Sequence, residues 1–307
     1  MKRTVPPRPR PAAASNDRRA VRERPTTWWL EALERRRLRQ AEERLDLATR
    51  DEWQSDEERR AAYKFFNAAF RAEESGLRQA HELAADVAAF DPDLAQVLRL
   101  YGDEEGWHRE LLTEFLAAIG GKIEPMGRVT RSLYALYGRA TRMETIVLTN
   151  LMFETIGSTT YRMALRNVEQ PAARKMLTIL TRDESFHVPL NVHFLRNVLS
   201  RTPETARLRL KLVYHALFVS LVLLPLASRP KAKAFDRIPT LDLSRGYAKM
   251  LAGLFEREPD LGLSPPRWLL LLLGIRRDDL GDEAVSATSL EAAEHAADRD
   301  RVEVRAL

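Results

Sequence analysis

The run Arg182-Asp183-Glu184-Ser185-Phe186-His187 sets a glutamate three residues before a histidine, inside a stretch whose apolar residues recur at helical spacing. On a helix those two side chains leave the same face. One such pair says little, but the spacing recurs upstream in Glu105-Gly106-Trp107-His108. Each copy is preceded at a distance by a lone glutamate among apolar neighbours, Glu73 before the first and Glu154 before the second. One glutamate from each of two helices and Glu-x-x-His from each of two more is the ligand set with which a four-helix bundle holds two metal ions.

The gaps support that arrangement. Glu73 and Glu105 are 32 residues apart, Glu154 and Glu184 are 30 apart. Each gap suits two antiparallel helices joined by a short loop, with the ligands at similar depth, since about 15 residues of helix climb roughly 22 Å. Glu73 is preferred to Glu74 because Ala69, Phe70 and Leu77 lie one turn away from it, whereas Glu74 has Arg71 and Arg78 there.

Apolar periodicity predicts four core helices, over about 57–89, 93–120, 130–168 and 172–199, the third interrupted or bent near Gly138. Phe66, Ala69, Phe70, Leu77, Ala80, Ala84 and Val87 mark the inner face of the first. Pro189 lies two residues past His187 and is expected to kink the fourth or remove one of its hydrogen bonds. Ahead of the bundle, 28–51 reads as a charged helix whose narrow stripe is Leu30, Leu33, Ala41 and Leu45, packed outside the bundle or on another subunit. The fold class is therefore all-α, a four-helix bundle with extra N-terminal and C-terminal helices.

The chain divides into a basic disordered tail over 1–25, the bundle with its preceding helix over 26–200, a helical extension over 201–280 and a mobile acidic tail over 281–307. The net charge of +5 resides in the tail, where eight Lys or Arg face Asp17 and Glu23, so the body is close to neutral. A basic arm without interleaved aromatics does not imply nucleic acid as a partner. There is no cysteine, which rules out disulfides, thiolate ligands and a catalytic thiol. Without an apolar leader the expectation is a cytoplasmic protein. Leu212–Ser228 is seventeen residues without a formal charge. A membrane span needs about twenty, so it reads first as a buried helix, with peripheral membrane contact and a span as alternatives. The apolar patch over 268–275 is too short to span.

Over residues 57–200 the pattern resembles the ferritin-like di-metal carboxylate superfamily. That group includes rubrerythrins, the small ribonucleotide reductase subunit, acyl-carrier-protein desaturases and the p-aminobenzoate N-oxygenase group. The resemblance implies Glu73 and Glu154 as lone carboxylates, Glu105 and Glu184 as bridges between the metals, and His108 and His187 as terminal ligands. It also implies that Glu104 and Asp183 accept the outer N–H of a histidine from the opposite helix pair. Tyr101, Ser158 and Tyr161 lie within one or two turns of ligands and are candidates for handling protons or oxygen. Leu180 stands where the N-oxygenase group has a further histidine, a departure that counts against that activity.

Carboxylates with imidazoles suit iron or manganese, so two Fe ions are expected, with Mn or a mixed Mn/Fe pair as alternatives. The expected function is an oxidase or oxygenase that activates O2 to hydroxylate, desaturate or N-oxidise a small, hydrophobic or carrier-linked organic substrate with electrons from an external donor. A homodimer is the expected assembly. A ferroxidase, peroxidase or manganese-type iron-handling protein is the alternative, and a non-enzymatic membrane-surface adaptor the third reading.

Overall fold

The computed structural model describes residues 23–228, 232–281 and 289–305. Most of the expected basic tail, the Arg229 and Lys231 end of the apolar segment and parts of the acidic tail lie outside the described residues. Among the described residues there are eleven α-helices and no strand.

The first core helix, α2 (Asp56–Val87), starts on a reciprocal cap. Ser55 Oγ accepts the Glu58 N–H at 3.1 Å, and the Glu58 carboxylate accepts the Gln54 N–H at 2.9 Å. After the turn through residues 88–91 comes α3 (Pro92–Ala118), opened by the Asp91 carboxylate accepting the Leu94 N–H at 3.0 Å and by proline at its first position. Gly76 faces Glu105, Leu77 faces Gly106 and Ala80 faces Gly102, so the two helices run antiparallel. A second pair, α5 (Met143–Asn167) and α6 (Pro171–Leu199), packs in the same manner across residues 168–170. Contacts of α3 with α6 and of α2 with α5 close the bundle.

The third expected helix is divided into α4 (Arg128–Tyr137) and α5. The break falls at Gly138, where a Cβ would stand 2.8 Å from the Tyr134 carbonyl oxygen, so the turn that ends α4 has room only for glycine. Pro189 is accommodated inside α6, which continues through it to Leu199. Its ring lacks the N–H that would bond the Ser185 carbonyl.

The helix ahead of the bundle, α1 (Thr26–Glu42), is shorter than the expected 28–51 and lies along α3. Its buried stripe is Trp29, Ala32, Leu33, Arg36 and Gln40, not the expected Leu30, Leu33, Ala41 and Leu45. The difference is a rotation of the face, driven by the large Trp29 ring packing edge-on against Phe186 at 5.4 Å. Beyond the bundle, α7 (Glu204–Ser228) and α9 (Thr240–Arg257) pack on one another and on α5, with the short α8 (Lys233–Asp236) against α2 and α10 (Arg267–Leu272) following α9.

The helix α7 contains Glu204–Ala227, which is long and apolar enough to cross a membrane. Leu210, Tyr214, Leu217, Phe218, Leu221 and Val222 of α7 are buried in the fold, while Leu208, Leu212, Leu223 and Leu226 are exposed. Within the region expected to be a mobile acidic tail, α11 (Leu290–Arg305) lies on α1 and α6 with Ala293 and Ala297 buried. Its alanines recur every four residues, which gives a charged segment one smooth face to dock.

Replacing Ser55 by Ala removes the cap of α2 and is expected to lower stability by about 1 kcal/mol in urea unfolding. An unchanged midpoint and slope contradict that assignment.

Candidate metal centre

The bundle brings the six side chains together from four helices. Glu73 comes from α2, Glu105 and His108 from α3, Glu154 from α5, and Glu184 and His187 from α6. Donor atoms of Glu73, Glu105, His108 and Glu184 all lie within 4.8 Å of one another, and so do those of Glu105, Glu154, Glu184 and His187. Glu105 and Glu184 belong to both groups. Glu73, Glu105, His108, Glu184 and His187 are buried, and the Glu154 side chain is 11% exposed. Glu74 instead accepts from Arg71 at 2.7 Å. Gly76 leaves room for the Glu105 carboxylate, which a Cβ there would approach to 3.2 Å.

Both imidazoles point the same way. His108 Nδ1 lies 3.3 Å from Glu73 Oε2, and its Nε2 lies 3.2 Å from Asp183 Oδ2. His187 Nδ1 lies 3.1 Å from Glu105 Oε1, and its Nε2 lies 3.6 Å from Glu104 Oε2. Each lone glutamate accepts from a tyrosine: Tyr101 Oη donates to Glu154 at 2.6 Å and Tyr161 Oη to Glu73 at 3.1 Å.

Ser158 is fully buried on α5, but it is not among the residues that line the cavity beside the cluster. His81 sits at the surface 3.2 Å from Asp103, His193 lies against Thr26 at 3.2 Å, and His215 is exposed. None of these three histidines joins the cluster. A cavity of about 440 Å³ reaches Glu73, Glu105, Glu154 and Glu184. Phe65, Phe153, Ile156 and Leu243 form apolar walls, and Tyr134 and Tyr137 of α4 contribute from the crossover.

Residues 58–196, which span α2 to near the end of α6, match the family profile described as the ferritin-like domain. Residues 58–196 form a ferritin-like domain. Comparison with curated proteins gives no match. A solved structure of an R2-like ligand-binding oxidase variant, with an aerobically reconstituted Mn/Fe cofactor, is similar at 12% identity and a TM-score of 0.47. That similarity covers 91% of this chain and 93% of the other.

Burial at the centre of the bundle acts against four carboxylate charges standing together. Burial, together with repulsion from Glu73 and Glu154, holds Glu105 and Glu184 well above the usual carboxylate range. Glu105 Oε1, Glu184 Oε2 and both ring nitrogens of His187 are buried without a hydrogen-bond partner, although Glu105 Oε1 and His187 Nδ1 stand close enough for one. Lone pairs that converge without bonding each other are what ligands of a common ion present. The buried carboxylate and histidine cluster is thus able to bind a metal pair.

Arg36 was not legible as part of this site from the sequence. It is fully buried and donates to both Glu104 and Asp183. Arg39 and Arg182 also donate to Asp183, at 2.9 and 2.8 Å. Burial opposes ionisation of Glu104 and Asp183, but Arg36 outweighs it and holds both below their ordinary values. A signal was present, since Arg36 falls seven residues after Trp29 on the same helical face.

These shifts give the metal-free protein a definite pH response. Raised Glu105 and Glu184 contribute stability below the unfolded value of about 4.3 and lose it as pH rises. Burial disfavours charged His108, yet hydrogen bonds with Asp183 and Glu73 push it up to about 10, so its contribution is complete below about 6.5 and is lost as pH rises through about 10. Glu154 is opposed by burial but lowered to about 2 by its bonds with Glu184 and His187, and its contribution is lost as pH falls through that value. Metal requires ionised glutamates and neutral imidazoles, so binding releases protons. Titration with Mn(II) in weak buffer near pH 7 is expected to acidify the solution, and apparent affinity to rise from about pH 6 to 8. An affinity independent of pH contradicts this account of the site.

Proposed function

We propose that the protein is a di-metal oxidase that activates O2 and oxidises an apolar organic substrate held beside the centre. The observation that carries this reading is the cavity of about 440 Å³, which touches all four glutamates and is walled largely by apolar and aromatic side chains. Its size suits a small organic ligand.

In this reading Glu73, Glu105, His108, Glu154, Glu184 and His187 would hold the two ions. Anionic oxygen with imidazole nitrogen suits iron or manganese, which when bound would supply the redox chemistry for reducing O2. The chain's own side chains do the rest. Phe65, Phe153, Ile156 and Leu243 desolvate the substrate and exclude bulk water. Tyr161 lines the cavity and keeps its proton, because burial and the neighbouring Glu73 and Glu184 raise it well above the ordinary phenol value. Its Oη is therefore a proton donor against Glu73 at the edge of the cavity. Tyr101, behind Glu154 and outside the cavity, orients that carboxylate. In a hydroxylation, one oxygen atom enters a substrate C–H bond, and the other leaves as water with two electrons from an external reductant and two protons.

Two variants test the reading. Glu105→Ala/Glu184→Ala is expected to lose both bound ions in metal analysis, and retention of wild-type metal content contradicts it. Gly157 faces open space at the cavity, with no heavy atom within 4 Å of an added Cβ. Gly157→Phe is expected to leave O2 consumption by Fe(II)-loaded protein within about threefold of wild type and to abolish its stimulation by cavity-binding organic compounds. Wild-type O2 uptake that no organic compound stimulates, with iron(III) as its only product, contradicts the oxygenase and identifies a ferroxidase.

A further inference from the structure

Four-helix bundles supply their ligands from the bundle itself, yet here a buried cation enters the centre from a helix outside it. The Arg36 guanidinium of α1 donates through Nε to Glu104 Oε1 and Oε2 at 3.1 and 3.2 Å, and through Nη2 to Asp183 Oδ1 at 2.7 Å. Nη2 also bonds Glu104 Oε1. Asp183 Oδ2 lies within hydrogen-bond reach of the outer nitrogen of His108 at 3.2 Å, and Glu104 Oε2 faces the outer nitrogen of His187 at the ion-pair distance of 3.6 Å. The Arg36 side chain is fully buried, and its guanidinium lies over the Phe186 ring at 4.3 Å, which fixes the plane of the fork.

We propose that Arg36 is a positioning residue of the metal centre, holding Glu104 against His187 and tying it to Asp183 against His108. The proposal rests on the di-metal reading of the cluster and deepens it. A carboxylate behind a metal-bound histidine fixes the ring orientation, and its loss typically costs 10–100-fold in metal affinity.

The two halves do not depend on Arg36 equally. Asp183 has Arg39 and Arg182 as further guanidinium partners. Among the described residues, the guanidinium that pairs with Glu104 is that of Arg36. Loss of Arg36 therefore releases His187 while His108 keeps its support. The placement of Arg36 depends on α1, against which α11 packs, and Arg24 just ahead of α1 pairs with Glu294 of α11 at 2.6 Å. A segment late in the sequence thus secures a residue that serves the centre.

The test is a titration of metal-free full-length protein with Mn(II), followed by electron paramagnetic resonance and by metal content. Wild type is expected to take up two ions and give the broadened spectrum of a coupled pair. R36M is expected to weaken the ion beside His187 by at least about tenfold and to leave the ion beside His108 within about threefold. At one equivalent its spectrum is then that of an isolated ion. E104Q, which keeps Arg36 paired with Asp183, is expected to give the same split and serves if R36M does not fold. A merely structural role lowers both affinities together or neither, and either result in a folded variant overturns the proposal. A wild-type chain that takes up no pair of ions sinks the di-metal reading itself, an outcome visible before any variant is compared.

Discussion

Four carboxylates buried around one point cannot all be ionised unless cations stand among them. Desolvation disfavours each charge, and every neighbour of like sign adds to the penalty. Glu105 and Glu184 carry the consequence, since they adjoin both lone glutamates and both histidines. Much of the surrounding structure serves this constraint. Tyrosines donate to Glu73 and Glu154, the Asp183 carboxylate bonds the outer nitrogen of His108, and the Glu104 carboxylate faces that of His187 at 3.6 Å. Guanidinium groups then balance those carboxylates without entering the cluster.

The architecture follows from the same demand. Two antiparallel helix pairs set glutamate opposite Glu-x-x-His twice, and the crossover through α4 brings Tyr134 and Tyr137 to the cavity that adjoins the centre. The bundle alone would leave Glu104 without a guanidinium partner, whereas Asp183 would keep Arg182 of α6. Docking α1 brings Arg36 to both, at the expense of burying a third ion, and breaking such a group by removing one member typically costs about 3–5 kcal/mol. Stability and ligand orientation are therefore expressed through one guanidinium.

The repeated Glu-x-x-His spacing made the bundle legible, because the ligand offsets and the apolar stripes obey one period. Phe66, Ala69, Phe70 and Tyr101 were expected inside and are buried. The third helix was expected to falter near Gly138, and it breaks there because only glycine avoids the Tyr134 carbonyl. Less was legible in α1. Arg35, Arg36 and Arg37 are indistinguishable by composition, and only the rotation set by Trp29 decides which one turns inward. In α11 the docking face is made of alanines, whose small side chains give a weak apolar signal in a charged stretch. Ser158 shows the opposite limit: helical spacing placed it one turn past Glu154, but it is fully buried, and Gly157, Thr160 and Tyr161 line the cavity in its place.

The central claim is that two ions share Glu105 and Glu184, one beside His108 and one beside His187. Anomalous diffraction from crystals of the protein loaded with Mn(II), recorded on both sides of the manganese absorption edge, tests it most directly. The account predicts two peaks per chain between α3 and α6, each within bonding distance of both shared glutamates. A single peak, or peaks only at surface carboxylates with the six side chains free of metal, would contradict it.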